Sequence, residues 1–278
     1  MSGRVTSYLH DGLTFDVRDE GPLDGTPVLL LHGFPERAST WRHVAPLLHA
    51  QGFRTVAPDQ RGYSAGARPR RRRDYTLPLL VDDAAALIAE VGRPVHVVGH
   101  DWGAAVGYLL AAEGPELVRT LTAVAVPHNA AFARAMTRSR QGLASWYMLA
   151  FQLPRVPELL ARRAGGPMER AFADGGMTPE EIATFRREIV EQGALTGALN
   201  WYRAMPFTRP GAVSRRVAVP TTLVWGDADS AVLRSTVECT ADWVDGDYRL
   251  VVLPGVSHWI PTQAPEELAR HVLERITA

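Results

Sequence analysis

Apolar and polar positions alternate between two textures along this 278-residue chain. Short apolar runs at residues 28–31, 55–57, 95–98, 121–126, 222–225 and 250–253 have the length of buried strands. Between them, apolar residues recur every three or four positions, most clearly over 79–91, 104–112 and 265–276, which predicts helices with one buried face. Near the N-terminus, residues 8–9 and 13–17 flank His10-Asp11-Gly12 and predict a hairpin. Strands that alternate with helices imply βαβ units and a mostly parallel sheet, an α/β architecture. The alternation stops over 128–216, a segment rich in Ala, Leu, Arg and aromatics with Pro154, Pro157 and Pro179 and no strand pattern. The reading is a helical cap inserted over the carboxyl ends of the strands, where open α/β sheets bind ligands. The core is then 1–127 and 217–278.

Composition narrows the function classes. Apolar residues are 46% and charged residues 22%, enough to bury a sizeable core. Formal net charge is zero, so no general pull toward nucleic acid or an anionic membrane is expected. The run Arg70-Arg71-Arg72-Arg73 lacks interleaved aromatics and reads as a solvated loop. No apolar run approaches a membrane span, and no basic-then-apolar leader stands at the start. With Cys239 the only cysteine, an internal disulfide is excluded and a reducing cytoplasm is the expected location. All 30 Lys+Arg positions are Arg, which fits codon bias in a GC-rich bacterial genome and rules out a Schiff-base or P-loop lysine. No His, Cys and carboxylate spacing matches a zinc site, so no metal and no organic cofactor is expected.

The chemistry concentrates after the run 95–98, in Gly99-His100-Asp101-Trp102-Gly103, followed by the small residues Ala104-Ala105. Glycines on both sides permit a strained strand-to-helix turn, and small residues let the helix close on the sheet. Serine is the usual nucleophile at such an elbow; Asp101 makes it a carboxylate, which attacks carbon and leaves an ester on the enzyme. Leu31-His32-Gly33-Phe34-Pro35 also follows a strand. The amides of Phe34 and Trp102 are the candidate oxyanion donors, and a cis bond before Pro35 is expected. Gly255-Val256-Ser257-His258-Trp259 sits between the last strand and the last helix, so His258 is the candidate base; His100 is read as pointing into the fold and His32 as structural. The orienting acid can follow the strand before the cap or the strand after it. No Asp or Glu lies between Leu117 and Pro157, whereas Trp225-Gly226-Asp227-Ala228-Asp229 offers two. Asp229, further past the strand, is preferred, and Asp227 stays open.

These motifs, with Ala57-Pro58-Asp59-Gln60-Arg61-Gly62-Tyr63, resemble the epoxide hydrolase and haloalkane dehalogenase branch of the α/β-hydrolase superfamily over nearly the whole chain. The resemblance is closest to soluble-type epoxide hydrolases. That family uses two cap tyrosines to donate to the epoxide oxygen. Leu199-Asn200-Trp201-Tyr202-Arg203 and Ser145-Trp146-Tyr147-Met148 are similar to its two motifs and imply Tyr202 and Tyr147. The implied partners are a small apolar epoxide and water, with Phe34, Trp102 and Trp259 as substrate contacts; a homodimer is left open. A haloalkane dehalogenase is the alternative, with Trp102 and then Trp146 or Trp201 as halide donors. Phe34, where many of that family have Asn, and Trp102, where fluoroacetate dehalogenases have Arg, argue against it. A non-catalytic ligand-binding protein on the same fold is the lower alternative.

Overall fold

A computed structural model describes residues 3–278 of the chain. Eight strands form one sheet: β1 (Ser7–His10), β2 (Leu13–Glu20), β3 (Pro27–Leu31), β4 (Arg54–Pro58), β5 (Val95–His100), β6 (Val118–Val124), β7 (Thr221–Gly226) and β8 (Tyr248–Leu253). Their order is β1-β2-β4-β3-β5-β6-β7-β8, antiparallel across β1-β2 and β2-β4 and parallel from β4 onward. This is the α/β-hydrolase fold that the motifs imply. The predicted hairpin forms about Asp11 and Gly12, both at positive φ (50° and 71°), the twist that a two-residue hairpin turn needs. β2 runs three residues further than its pattern suggested because its alternate residues Phe15, Val17 and Asp19 keep facing inward. β6 stops at Val124 rather than residue 126, since Ala125 takes φ 67° and leaves the extended region.

Both faces of the sheet are covered, which is why the central strands read as continuous apolar runs. Successive residues point to opposite faces. Leu29, Leu31, Val97, Leu121 and Leu223 pack with Leu87 and Leu109 from helices Leu77–Val91 and Trp102–Glu113. Val28, Leu30, Val98 and Val224 pack with Leu48, Leu268 and Val272 from helices Ala45–His49 and Pro265–Thr277. Each fully buried leucine or valine side chain contributes roughly 1.5–3 kcal/mol of transfer free energy, so the two layers hold the strand ends rigidly in place.

Between β6 and β7 the described residues contain helices and no strand, from Asn129–Arg138 to Leu195–Ala204. The last of these helices is pressed onto the loop that follows β4. A Cβ on Gly197 would lie 2.4 Å from the Gly62 carbonyl oxygen, and Gly62 itself sits at φ 97°. Only glycine at both positions lets the backbones approach so closely. The buried Trp201 indole then donates to the Arg61 carbonyl oxygen at 2.7 Å. The arginine run at 70–73 is exposed, as expected, but Arg72 and Arg73 belong to a short 3-10 helix, Arg72–Tyr75, rather than to a loop.

Candidate active site

β5 ends at the elbow. Asp101 adopts φ 51° and ψ −117°, and helix Trp102–Glu113 starts immediately after it. The glycines are steric requirements: a Cβ on Gly99 would lie 2.2 Å from the Gly103 carbonyl oxygen, and one on Gly103 would lie 2.1 Å from that of Leu31. The Phe34 amide donates to Asp101 Oδ1 at 2.8 Å, across the gap kept open by Gly33. The Phe34–Pro35 bond is cis.

His258 stands over the elbow. Its Nε2 is 3.5 Å from Asp101 Oδ2, and its Nδ1–H donates to Asp229 Oδ2 at 2.7 Å. The other oxygen of Asp229 accepts from the amides of Ala231 (2.7 Å) and Val232 (2.9 Å), so the buried carboxylate is fixed in orientation. Asp227 instead accepts from the Gly255 amide at 2.6 Å on the exposed side. Between the two acids that the sequence left open, the geometry puts Asp229 on the histidine. Asp101, Asp229 and His258 arrive from the ends of β5, β7 and β8.

The charges are strongly coupled. Burial opposes the His258 cation, but the charges of Asp229 and Asp101 and their hydrogen bonds hold its pKa well above 6.5. For Asp101, burial pushes the carboxyl up, while His258, His100 and the Phe34 amide bring it below its ordinary value of 3.8. Each group thus favours the charged form of the other.

His100 points into the fold as expected: its Nε2–H donates to the His258 carbonyl oxygen at 2.9 Å and its Nδ1 meets Glu36 Oε2 at 2.9 Å. Burial pushes the Glu36 carboxyl up, but His100 and Thr40 hold it below 4.5. His32 is structural, accepting from the Gln60 amide at 3.0 Å, and burial pushes its pKa down to about 4.

Above Asp101 lies a cavity of about 210 Å³, walled by Trp102, His258, Tyr147, Tyr202, Phe132, Met136, Met148 and Met205 among others. The tyrosine rings are 6.1 Å apart at 78°. Tyr202 also meets the Trp102 ring edge to face at 5.1 Å. Burial raises both phenol pKa values, and the charge of Asp101 raises them further, so both hydroxyls stay protonated. Two expected substrate contacts lie elsewhere. Phe34 is packed among Phe151, Phe172 and Tyr202 and only its amide faces Asp101, while the Trp259 indole donates to the Gly175 carbonyl oxygen at 3.1 Å. Neither ring lines the cavity. Trp146 points to solvent, 66% exposed, and the Trp201 N–H is taken by Arg61, so neither is a free halide donor. The methionine walls carried no sequence signal, because apolar positions on a helix look alike whether they meet core or cavity. Among the described residues no group of three His, Cys, Asp or Glu is placed to hold a metal ion.

A family model described as "Alpha/beta hydrolase family" matches residues 28–271. The chain is 33% identical to the AB hydrolase superfamily protein YfhM of Bacillus subtilis, with 99% of this chain and 98% of that one covered. It is 31% identical to epoxide hydrolase A of Mycobacterium tuberculosis, at 99% and 98% coverage. Among solved structures it is similar to an epoxide hydrolase from hot-environment metagenomes, with TM-score 0.84, 31% identity and coverage of 100% and 99%. It is also similar to the epoxide hydrolase of Bacillus megaterium in complex with an inhibitor, with TM-score 0.85, 25% identity and coverage of 98% and 100%.

Proposed function

The chain belongs to the α/β-hydrolase family, and from that premise we propose that it is an epoxide hydrolase working through an ester of Asp101. The observation that carries this reading is that Tyr147 and Tyr202 share one cavity wall with the half-buried carboxylate of Asp101. A carboxylate does not readily expel an alkoxide unaided, so ring opening needs an acid at the oxygen. The helical segment between β6 and β7 serves as the cap that brings that acid.

In the first step an Asp101 oxygen forms a bond to one epoxide carbon, and the carbon–oxygen bond breaks toward the oxygen. Tyr147 and Tyr202 hold that oxygen, and one of them transfers its proton. Esterification removes the negative charge of Asp101, one of the two charges keeping His258 protonated. The histidine therefore gives up its proton through solvent, which balances the one lost by the tyrosine, and becomes a base. In the second step neutral His258 takes a proton from water as the water attacks the ester carbonyl carbon. The Phe34 and Trp102 amides receive the oxyanion. Collapse expels the alkyl oxygen, which takes the second proton of the attacking water, so a vicinal diol leaves and the Asp101 carboxylate is restored. Asp229 orients the ring and stabilises the imidazolium throughout.

The cavity's mainly apolar walls suit a small apolar epoxide. Dehalogenation lacks a second free indole donor, and a purely binding protein has no use for a buried, oriented acid on the histidine. The test is His258→Gln with an epoxide that the wild type turns over. Alkylation should continue while ester hydrolysis stops, raising the intact-protein mass by one substrate mass. An inactive variant with no adduct sinks the covalent scheme; an adduct carrying a halide-displaced alkyl group from a haloalkane, with none from epoxides, moves the reading to dehalogenation.

A further inference from the structure

The outer surface of the helical segment between β6 and β7 carries an apolar stripe that the site does not use. Leu143, Trp146, Leu149 and Leu153 recur every three or four residues and are 74%, 66%, 77% and 49% exposed. Backbone hydrogen bonds from Trp146 to Leu143, Leu149 to Trp146 and Leu153 to Ala150 keep these turns helical, and exposed Val156, Leu159 and Leu160 follow on helix Val156–Arg162. The inward side of the same turns supplies Tyr147 and Met148 to the cavity. Arg203 ties the stripe to the helix carrying Tyr202 by donating to the carbonyl oxygens of Phe151 and Leu153, each at 2.8 Å.

Along the segment that carries this stripe the charge is almost all of one sign. From Leu117 to Arg163 the only acid is Glu158, and its carboxylate is held by Arg203 at 2.6 and 2.9 Å. Arg138, Arg140, Arg155, Arg162 and Arg163 are exposed and make no ion pair among the described residues. The zero net charge of the chain averages over this cationic segment. Exposed tryptophan and leucine rimmed by arginine suit the lipid headgroup boundary, where apolar side chains enter the acyl region and guanidinium groups reach back to phosphate. We propose that this face docks the protein peripherally on an anionic lipid bilayer. Among the described residues no helix is long and apolar enough to cross a membrane, so the contact is on the surface. A second copy would fit less well: two-fold pairing uses the same patch on both sides, so both partners bring unpaired arginines and neither brings a free acid from this segment.

Co-sedimentation with vesicles of phosphatidylcholine containing about a third phosphatidylglycerol tests the proposal, with pure phosphatidylcholine vesicles as the comparison. The wild type should bind the anionic vesicles, and binding should fall as salt is raised. Trp146→Ser with Leu149→Ser, and separately Arg138→Gln with Arg155→Gln, should each weaken binding by on the order of tenfold. Because all four side chains are exposed, folding is not at stake. No binding to anionic vesicles, equal binding to neutral ones, or full binding by both variants overturns the proposal. So does a wild-type dimer that binds no vesicles and that the Trp146→Ser, Leu149→Ser variant converts to monomer. The readout is partition rather than turnover, so it stands or falls separately from the epoxide reading.

Discussion

Asp101 holds a positive φ that a residue with a side chain adopts at a cost of order 1–3 kcal/mol, and the surrounding packing overrides that cost. The strain aims the carboxylate away from the sheet, so Oδ1 meets the Phe34 amide and Oδ2 meets His258. At the same scale the two tyrosines differ in burial: Tyr202 is 2% exposed while Tyr147 is half-buried, and Tyr202 alone touches both Phe34 and Trp102. Tyr202→Phe should therefore lower the rate of Asp101 alkylation by about 10²–10⁴, the usual contribution of a positioned general acid. Rapid-quench measurement of the ester in the His258→Gln background isolates that step. Since only the hydroxyl is removed, the thermal midpoint should move little; a large fall in stability with an unchanged alkylation rate would make Tyr202 a packing residue.

At the scale of elements, the site depends on how helix Leu195–Ala204 is seated. Its place is fixed by Gly197 against Gly62 and by the Trp201 N–H on Arg61, whose guanidinium is itself held by Asp83 at 2.7 and 2.8 Å. Gly197→Val puts a branched side chain where even a Cβ would come within 2.4 Å of a carbonyl oxygen. The helix must lift, and Tyr202 with it. Misplacement of about 1 Å can cost 10²-fold in rate, so turnover should drop by about that factor while the β1–β8 core stays folded by circular dichroism. Gly193→Ala serves as the control: its added Cβ has no neighbour closer than 3.7 Å, though its φ of 69° carries a backbone cost, and it should lose stability more than activity.

For the molecule as a whole, the coupled charges of the site set a pH dependence of stability. The folded pKa of His258 is raised above 6.5, so its contribution is complete below pH 6.5 and is lost as pH rises through the raised value. The folded pKa of Asp101 is depressed below 3.8, so its contribution is complete above pH 3.8 and is lost as pH falls through the lowered value. Both operate fully between those limits. The difference in thermal midpoint between wild type and His258→Gln should thus be more favourable to wild type at pH 5–6 than at pH 9 and above. Scanning calorimetry across that range checks it; a difference that grows toward alkaline pH contradicts the assigned direction.

Much of this could be read from residues alone, because the elements concerned are specified locally. The hairpin needs φ > 0 at Asp11 and Gly12, the elbow needs Gly99 and Gly103, and two-sided burial writes mostly apolar stretches into β3, β5 and β7. The order of Asp101, Asp229 and His258 along the chain followed from where strands end. What depended on separations of many residues in the chain is less completely legible. By sequence Asp229 is preferred for lying further past the strand, but Asp227 stays open; Asp229 meets His258 because the chain turns after Gly226, whose added Cβ would lie 2.1 Å from the Val256 carbonyl oxygen and which lets the two loops pass. Trp146 faces solvent and Trp259 faces Gly175 because each aromatic satisfies the same pattern rule in several environments, and only packing chooses among them. The sequence thus determined which chemical groups are present and which strand end carries each. The tertiary structure decided which of them face one another, since hydrophobic periodicity records that a side chain is buried but not what it is buried against.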